Sequence, residues 1–264
     1  MNTVAKSNAD GDKKGERIAK RMADAGLCSR REAERWIAQG RVEVDGVKLT
    51  TPAVTVTDDN LVVVDGVPLP GRARTRLWCY HKPAGLVTTH SDEKGRPTVF
   101  ASLPKDLPRV ISIGRLDLTS EGLLLLTNSG ELARKLESPA TGWRRRYRVR
   151  VHGQPQPEAL AKLAHGITVE GMRYGPIEAE LERQVGSNAW LMLGLTEGRN
   201  REVRRVMEAL DLKVTRLIRV AYGPFQLGNL ESGEVREVPG KVLREQVGVA
   251  RDDVRTPAKP QARK

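Results

Sequence analysis

The chain has 264 residues, of which 39% are hydrophobic and 30% charged, so we expect a folded protein of one or two domains rather than a disordered chain. No apolar run approaches the roughly 20 residues that cross a bilayer, no secretory signal opens the chain, and two distant cysteines suggest no disulfide framework; these features predict a cytoplasmic protein without a membrane partner. The formal net charge is +12, and Lys and Arg stay in excess when both ends are left out, which favours nucleic acid as partner over a basic protein without one.

The first 66 residues predict a small domain behind a short arm. Residues 1–14 are expected to be a disordered arm, and the small domain spans residues 15–66. Apolar residues at helical spacing predict a helix from about Ile18, and the pair Ser29 and Glu32 has the spacing of a capping box that opens a second helix. Asp-Gly pairs at 45–46 and 65–66 each predict a hairpin.

Basic residues crowd the two predicted helices. The start of the second helix carries free amides and the positive end of the helix dipole, so it suits a phosphate group. The alternative is a solvated basic face with no ligand. The residues that we expect to contact RNA here are Arg30, Arg31, Arg35 and Arg41.

The segment LCSRREAERWIAQGRVEVDG at 27–46 resembles the S4 RNA-binding domain, over about residues 16–63. The resemblance implies that the helices bind structured RNA mainly through its backbone. It does not fix an activity, because such domains occur in many RNA-binding proteins.

Residues 67–76 hold two prolines, a glycine and several arginines, and we interpret them as a linker. A second domain over 77–249 mixes predicted strands and helices, which favours an α+β fold with a mixed, mainly antiparallel sheet flanked by helices and loops. Residues 250–264 are expected to be a disordered basic tail. The predicted strands are Leu77–His81, Leu123–Thr127, Tyr147–Val151, Ala189–Thr196 and Val214–Tyr222, and the clearest helices are Gly130–Leu136, Pro157–His165 and Arg201–Leu210.

The stretch from 112 to 132 is the most informative part of the chain. Gly114 permits a tight bend, and the apolar run Leu123–Leu126 predicts a buried strand, so Asp117 is expected in a loop held by a rigid frame. Asn128 and Glu131 have the spacing of a helix start. On these grounds alone, Asp117 is better interpreted as an ordinary turn residue.

Motifs in the same order resemble those of the RsuA/RluB type of pseudouridine synthase, over about residues 76–240. They are HKPAG at 81–85, GRLDLTSEGLL at 114–124, RYRV at 146–149, EGRNREVRR at 197–205 and a leucine at 217. The resemblance implies that Asp117 is the essential catalytic residue. It also maps Tyr147, Arg204 and Leu217 onto the active-site aromatic, cation and leucine.

The resemblance implies that the chain converts uridine to pseudouridine in ribosomal RNA. The Asn-Arg pair at 200–201 favours the branch that acts on the large-subunit, 23S RNA. The reaction needs no redox partner, so no cofactor is expected, and the four histidines show no metal spacing. Family members are generally monomeric, so a monomer is expected.

Each site residue has a chemical role and a plainer alternative. Asp117 would act as nucleophile, base or electrostatic support. Tyr147 would stack on the flipped uracil or be a core tyrosine, and Arg204 would pair with Asp117 or be solvated. Arg115 would hold a phosphate, fill the gap left by the base, or form a structural salt bridge. The other expected RNA contacts are Lys82, Arg148, Arg150, Arg201 and Arg205, although Lys82 also suits a backbone contact.

Two other classes of protein stand as alternatives. A non-catalytic RNA-binding or ribosome-assembly protein would use the small domain alone. A DNA-binding regulator lacks support, because no helix-turn-helix with a clear recognition helix stands out.

Overall fold

The computed structural model describes residues 15–250. The arm predicted at 1–14 and nearly all of the tail predicted at 250–264 lie outside the described residues. The chain divides into two compact units, with the boundary between Ala73 and Arg74. No helix in the described part of the chain is long and apolar enough to cross a membrane.

The small unit packs two helices against short strands. Ile18, Met22, Ala33 and Ile37 are buried in its core. The predicted capping box is confirmed, because the Ser29 hydroxyl accepts a hydrogen bond from the Glu32 amide at 3.1 Å while the Glu32 carboxylate accepts one from the Ser29 amide. Its elements are β1 (Glu16–Arg17), α1 (Ile18–Asp24), α2 (Arg30–Ala38), β2 (Val42–Val44), β3 (Val47–Lys48), β4 (Thr55–Val56), β5 (Val62–Val64) and β6 (Val67–Pro68).

The strands of the small unit form two sheets, of order β3-β2-β5-β6 and β1-β4. Both predicted Asp-Gly hairpins are present. The second hairpin corrects the predicted linker, because Val67 and Pro68 pair with β5 and belong to the small unit. Proline is tolerated there because β6 is an edge strand.

The large unit is built on a nine-stranded mixed sheet with a separate two-stranded sheet, β11-β12, which confirms the predicted α+β class. The elements are β7 (Leu77–Lys82), β8 (Ile111–Ile113), β9 (Ser120–Thr127), α3 (Gly130–Glu137), β10 (Arg145–His152), α4 (Pro157–Lys162), β11 (Ile167–Val169), β12 (Met172–Tyr174), β13 (Ile177–Val185), β14 (Asn188–Leu195), α5 (Glu202–Glu208), β15 (Lys213–Tyr222), β16 (Phe225–Gln226), β17 (Val235–Glu237) and α6 (Gly240–Val247). Short 3-10 turns lie at Phe100–Ser102, Pro139–Thr141 and Leu163–His165.

The sheet has nine strands, in the order β13-β14-β10-β15-β9-β7-β17, with β16 paired to β15 and β8 paired to β9. Every pairing in this sheet is antiparallel except that of β15 with β9. The sheet separates two cores. Leu124 and Leu126 of β9 face a core that includes α4 and α5, and Leu123 and Leu125 face a core that includes α3 and α6.

The parallel pairing of β15 with β9 depends on Gly122. Its φ is +100°, and a Cβ placed there would lie 2.3 Å from the carbonyl oxygen of Arg219. Only glycine permits this backbone approach. This close approach holds the start of β9, directly after the Asp117 loop, against β15.

One predicted helix start is wrong. Ser129 caps α3, because its hydroxyl accepts a hydrogen bond from the Leu132 amide at 3.2 Å. Asn128 instead bridges toward the start of β7, accepting from the Arg76 amide and donating to the Arg74 carbonyl. An asparagine that satisfies two backbone groups of another segment is not free to cap its own helix.

Candidate active site

Asp117 lies in the loop between β8 and β9, which we call the catalytic loop (residues 114–119). The loop begins at Gly114, whose φ of +67° makes the predicted bend. The Gly114 amide donates a hydrogen bond of 2.7 Å to the Glu137 carboxylate at the end of α3. The bend is therefore fixed to a helix.

Lys82 binds the backbone at the end of the catalytic loop that leads into β9. Its buried ammonium group donates to the carbonyl oxygens of Ser120 at 2.8 Å, Pro83 at 3.0 Å and Asp117 at 3.1 Å. Burial lowers the pKa of Lys82 to about 8, against the opposing charges of Asp117 and Glu121. The expected RNA contact is wrong, because a fully buried ammonium group cannot reach a phosphate; the backbone contact is what the structure shows.

Thr88 holds the middle of the catalytic loop. Its hydroxyl donates to the Leu116 carbonyl at 2.9 Å and accepts from the Leu116 amide at 3.3 Å. The Gly85 amide donates to the Leu118 carbonyl at 2.7 Å. Residues on both sides of Asp117 are therefore bound through their backbone.

Asp117 and Arg204 face each other at the limit of an ion pair. The Arg204 Nε lies 4.0 Å from the carboxylate, and the two side chains are 14% and 30% exposed, with Arg204 the more buried. Arg204 Nη2 donates to the Thr119 hydroxyl at 2.9 Å, which ties α5 to the catalytic loop. Burial lowers the pKa of Arg204, the charge of Arg201 acts in the same direction, and Asp117 opposes both.

Tyr147 and Leu217 lie on neighbouring strands and on one face of the sheet. Tyr147 is opposite Arg219, and Leu217 is opposite Val149. Directly opposed residues share a face, as do residues two apart on a strand. Tyr147 is 9% and Leu217 5% exposed.

A cavity of about 960 Å³ opens in the large unit, and Arg204 is not among the residues that line it. Asp117, Tyr147, Leu217, Arg115 and Arg201 all line it. Arg115 is exposed, and among residues 15–250 it makes no ion pair or hydrogen bond, so no structural salt bridge is found for it there. Its charge is available to a ligand.

Several predicted RNA contacts lie elsewhere in the large unit. Arg148 and Arg150 are exposed on the sheet face opposite Tyr147, as the alternation predicted. Arg148 pairs with Glu182 at 2.7 Å and stacks over Trp190. A hydrogen bond with the Tyr174 side chain raises the pKa of Arg205.

The small unit presents three of its four predicted cations freely. Arg30, Arg31 and Arg35 are exposed on α2. Arg41 is engaged, because it forms a two-point ion pair with Asp65 and lies over the Trp36 ring. The pKa of Asp65 is lowered by its hydrogen bonds with Arg41.

Further cavity residues were missed from the sequence. Arg145 and Arg219 line the cavity and both stack on Tyr222. Glu202, whose carboxyl pKa is raised by burial, also lines it. A signal existed for Arg219, since it stands two residues after Leu217 at a core-facing position of a strand. Among residues 15–250, no His, Cys, Asp and Glu side chains cluster as a metal site would require.

The cavity combines a carboxylate with several arginines, groups that suit an enzyme acting on a nucleic acid. Residues 76–209 match the family model described as RNA pseudouridylate synthase, and residues 16–63 match the S4 domain. The chain belongs to the RNA pseudouridylate synthase family, and it is an enzyme that binds RNA and converts uridine to pseudouridine. The non-catalytic alternative finds no support.

Relatives span almost the whole chain. A Rickettsia prowazekii (strain Madrid E) protein, described as an uncharacterized RNA pseudouridine synthase, is 46% identical over 88% of this chain and 97% of its own. The ribosomal large subunit pseudouridine synthase B of Yersinia pestis is 42% identical over 81% of this chain and 69% of its own. A crystal structure of a pseudouridylate synthase superposes with a TM-score of 0.61 and 27% identity, over 88% of this chain and 99% of that one.

Proposed function

We propose that the chain isomerises a specific uridine of large-subunit, 23S ribosomal RNA, with Asp117 as its catalytic residue. The observation that carries the assignment of Asp117 is its position on an anchored loop, 4.0 Å from Arg204 and in the same cavity as Tyr147 and Leu217. The choice of RNA is supported by relatives such as the Yersinia pestis large-subunit enzyme and by the Asn-Arg pair at 200–201.

The cavity suits a nucleotide that has left its stack. The target base must be extruded before its glycosidic bond can react. Tyr147 would stack on the flipped uracil, with Leu217 beside it, which brings the ribose toward Asp117. Arg204 would orient the carboxylate, and Arg115 and Arg201 would bind phosphates or fill the gap left by the base.

The carboxylate can act in three ways at that position. It can attack C1′, remove a proton from the ribose, or stabilise positive charge at C1′. Each role requires an oxygen of Asp117 next to the sugar. In the same proposal, the small unit docks the RNA through Arg30, Arg31 and Arg35, and the protein acts as a cytoplasmic monomer.

The test is the variant Asp117→Asn, assayed by tritium release from [5-³H]uridine-labelled rRNA. We expect no detectable release, because the amide lacks the negative charge that all three roles need, while RNA affinity stays within about threefold of wild type. The matched control is Asp106→Asn, an exposed aspartate outside the cavity lining, which should turn over normally. Normal turnover by Asp117→Asn would remove the catalytic assignment.

Mapping pseudouridines in rRNA from cells with and without the protein tests the substrate. We expect one 23S position to lose its pseudouridine when the protein is absent. A lost position in the small-subunit RNA would contradict the choice of RNA and leave the assignment of Asp117 intact.

A further inference from the structure

Arg219 is a buried cation without a counter-charge. Arg219 is 3% exposed, and its Nε donates a hydrogen bond to the Leu123 carbonyl at 2.7 Å. Among the residues that the structure describes, no carboxylate lies within ion-pair distance of Arg219, and its buried Nη2 has no hydrogen-bond partner. Burying a guanidinium group without a counter-charge and with an unsatisfied N–H donor is unfavourable, unless a ligand accepts a hydrogen bond from that donor.

The position of Arg219 in the cavity indicates which group of a ligand it can contact. Arg219 lies directly across from Tyr147 on the neighbouring strand and two residues after Leu217, and all three line the cavity with Asp117. A ring that stacked on Tyr147 beside Leu217 would therefore lie next to Arg219. The close approach of Gly122 to the Arg219 backbone holds this strand in place.

We infer that Arg219 donates hydrogen bonds to a carbonyl oxygen of the extruded uracil and stabilises the negative charge that the base acquires during the reaction. The inference rests on the proposed function, since it takes the ribose to lie at Asp117 and the base on Tyr147. Arg219 is distinct from Asp117, the proposed catalytic residue, and from Arg204, the cation that faces Asp117.

The charge follows from the bonds that change. When the bond from C1′ to N1 breaks, its electron pair stays on the base and spreads over N1, O2 and O4, while the positive charge at C1′ is met by the Asp117 carboxylate or relieved by loss of a ribose proton. After the base turns, that pair forms the bond from C5 to C1′, while the Asp117 carboxylate leaves C1′ if it had bonded there, or the ribose takes back the proton if it had lost one. The C5 proton then leaves, and N1 takes up a proton. The base is thus anionic between the two steps, whichever role Asp117 has. A fixed, buried donor next to developing negative charge is an effective source of rate acceleration.

A base oxygen fits Arg219 better than a phosphate does. Phosphates stay at the solvent-exposed mouth of such a cavity, where the exposed Arg115 and Arg201 are placed to meet them. Arg219 is at a core-facing strand position and has almost no exposed surface.

The test compares Arg219→Gln and Arg219→Lys with wild type on an RNA fragment that carries the mapped uridine. Under single turnover with saturating enzyme, we expect Arg219→Gln to be slower by roughly 10²–10³-fold, the size of effect seen when one oxyanion donor is removed. Affinity should change by less than about threefold. Arg219→Lys, which keeps the charge but loses the planar fork, should lie between.

A matched control separates this effect from the loss of any stacked arginine. Arg76 lies outside the cavity lining, pairs with Glu237 and stacks over Trp78 at 4.6 Å, much as Arg219 stacks over Tyr222 at 5.2 Å. Arg76→Gln should keep the wild-type single-turnover rate even if its melting temperature falls.

Sulfur substitution in the RNA identifies the oxygen. Sulfur is a poor acceptor, so 2-thiouridine or 4-thiouridine at the target should slow wild type at the contacted position only, and Arg219→Lys should be less sensitive to that same change. This comparison uses a conservative variant, so it holds even if Arg219→Gln does not fold.

Three results would overturn the inference. They are a single-turnover rate for Arg219→Gln within threefold of wild type, a loss confined to affinity with a shallower salt dependence, or equal thio effects in wild type and Arg219→Lys. The second result would assign Arg219 to a phosphate. If wild type itself forms no pseudouridine, the proposed function fails instead, so the two failures are distinguishable.

Discussion

At the scale of single residues, the active site depends on side chains that bind backbone rather than substrate. Lys82 and Thr88 bind the catalytic loop at different points, Lys82 at the Asp117 carbonyl and Thr88 at the Leu116 carbonyl. The sequence indicated Asp117, Tyr147, Arg204 and Leu217 only through motif resemblance; their residue types alone favoured plainer roles. Lys82 was misjudged because a lysine in a basic chain suggests a phosphate contact, and its burial depends on strands that pair far along the chain.

Lys82 gives a prediction about stability and pH. Its pKa is about 8 in the folded chain and 10.5 when unperturbed, so between these values the unfolded chain binds more protons. The free energy of unfolding of wild type should therefore rise with pH across that window, by up to about 1.4 kcal/mol per pH unit, relative to Lys82→Met. Urea unfolding of both proteins from pH 7 to 10.5 measures this. Parallel curves would show that the Lys82 pKa is not lowered.

Thr88 gives a prediction about positioning. Thr88→Val removes the hydroxyl that donates to the Leu116 carbonyl and accepts from the Leu116 amide. The loss should lower the free energy of unfolding by about 1–3 kcal/mol and lower kcat with little change in KM. Thr88→Ser should restore kcat.

The matched control for Thr88 is Thr127→Val. Thr127 also has a hydroxyl that both donates and accepts, to the Arg76 carbonyl and from the Ser129 amide, at the far end of β9 from the catalytic loop. It should lose similar stability and keep kcat. If both variants lose kcat equally, Thr88 is a structural residue only.

At the scale of elements, the parallel contact between β9 and β15 joins the catalytic loop to Leu217 and Arg219. Local pattern predicted most of the long strands and most helices, because Leu123–Leu126 and the alternation of β10 are strong signals. It missed β13, where Glu178, Glu180 and Glu182 alternate with apolar residues on an exposed edge and a register shift interrupts the period. It also missed α6. The pairing of β15 with β9 could not be predicted, because nothing local specifies partners so far apart.

Gly122→Ala tests the contact between these strands. The added Cβ would meet the Arg219 backbone at 2.3 Å in a left-handed conformation, so we expect destabilisation of about 3 kcal/mol or more and loss of activity. Gly228→Ala is the control, because Gly228 has a φ of +56° and nothing within 4 Å of an added Cβ. It should show only the cost of backbone strain, about 1 kcal/mol. Thermal melting measures both, and equal losses would contradict the role of close approach.

At the scale of the whole molecule, a small unit with three exposed arginines on α2 is joined to a larger catalytic unit, which carries most of the positive excess. The exposed Arg30, Arg31 and Arg35 of α2 belong to the first, and the cavity belongs to the second. The sequence predicted this division, and the boundary between Ala73 and Arg74 falls inside the predicted linker. The small unit nevertheless extends past residue 66, because the second Asp-Gly hairpin runs through Pro68. The basic surface could be predicted only in part, since pairing of Arg41 and Arg148 with carboxylates depends on the fold.

Replacing Arg30, Arg31 and Arg35 by alanine tests the docking role. We expect weaker RNA binding and a salt dependence of log K shallower by roughly 0.7–0.9 per lost phosphate contact, with the single-turnover rate at saturating enzyme unchanged. A triple alanine variant at Arg134, Lys241 and Arg244, on α3 and α6, removes the same charge elsewhere. If both variants bind equally well, α2 does not dock the RNA.

The anchoring of the catalytic loop has a consequence for the choice of target. Gly114, Leu116, Asp117, Leu118 and Ser120 are all bound through their backbone before RNA arrives. Because the loop that carries Asp117 is already held in place, the protein adjusts little on binding. The target nucleotide must therefore be brought to Asp117 by a change in the RNA conformation. Uridines in bulges, loops or partly assembled particles, whose neighbours already stack poorly, should react faster than the same uridine locked in a continuous helix.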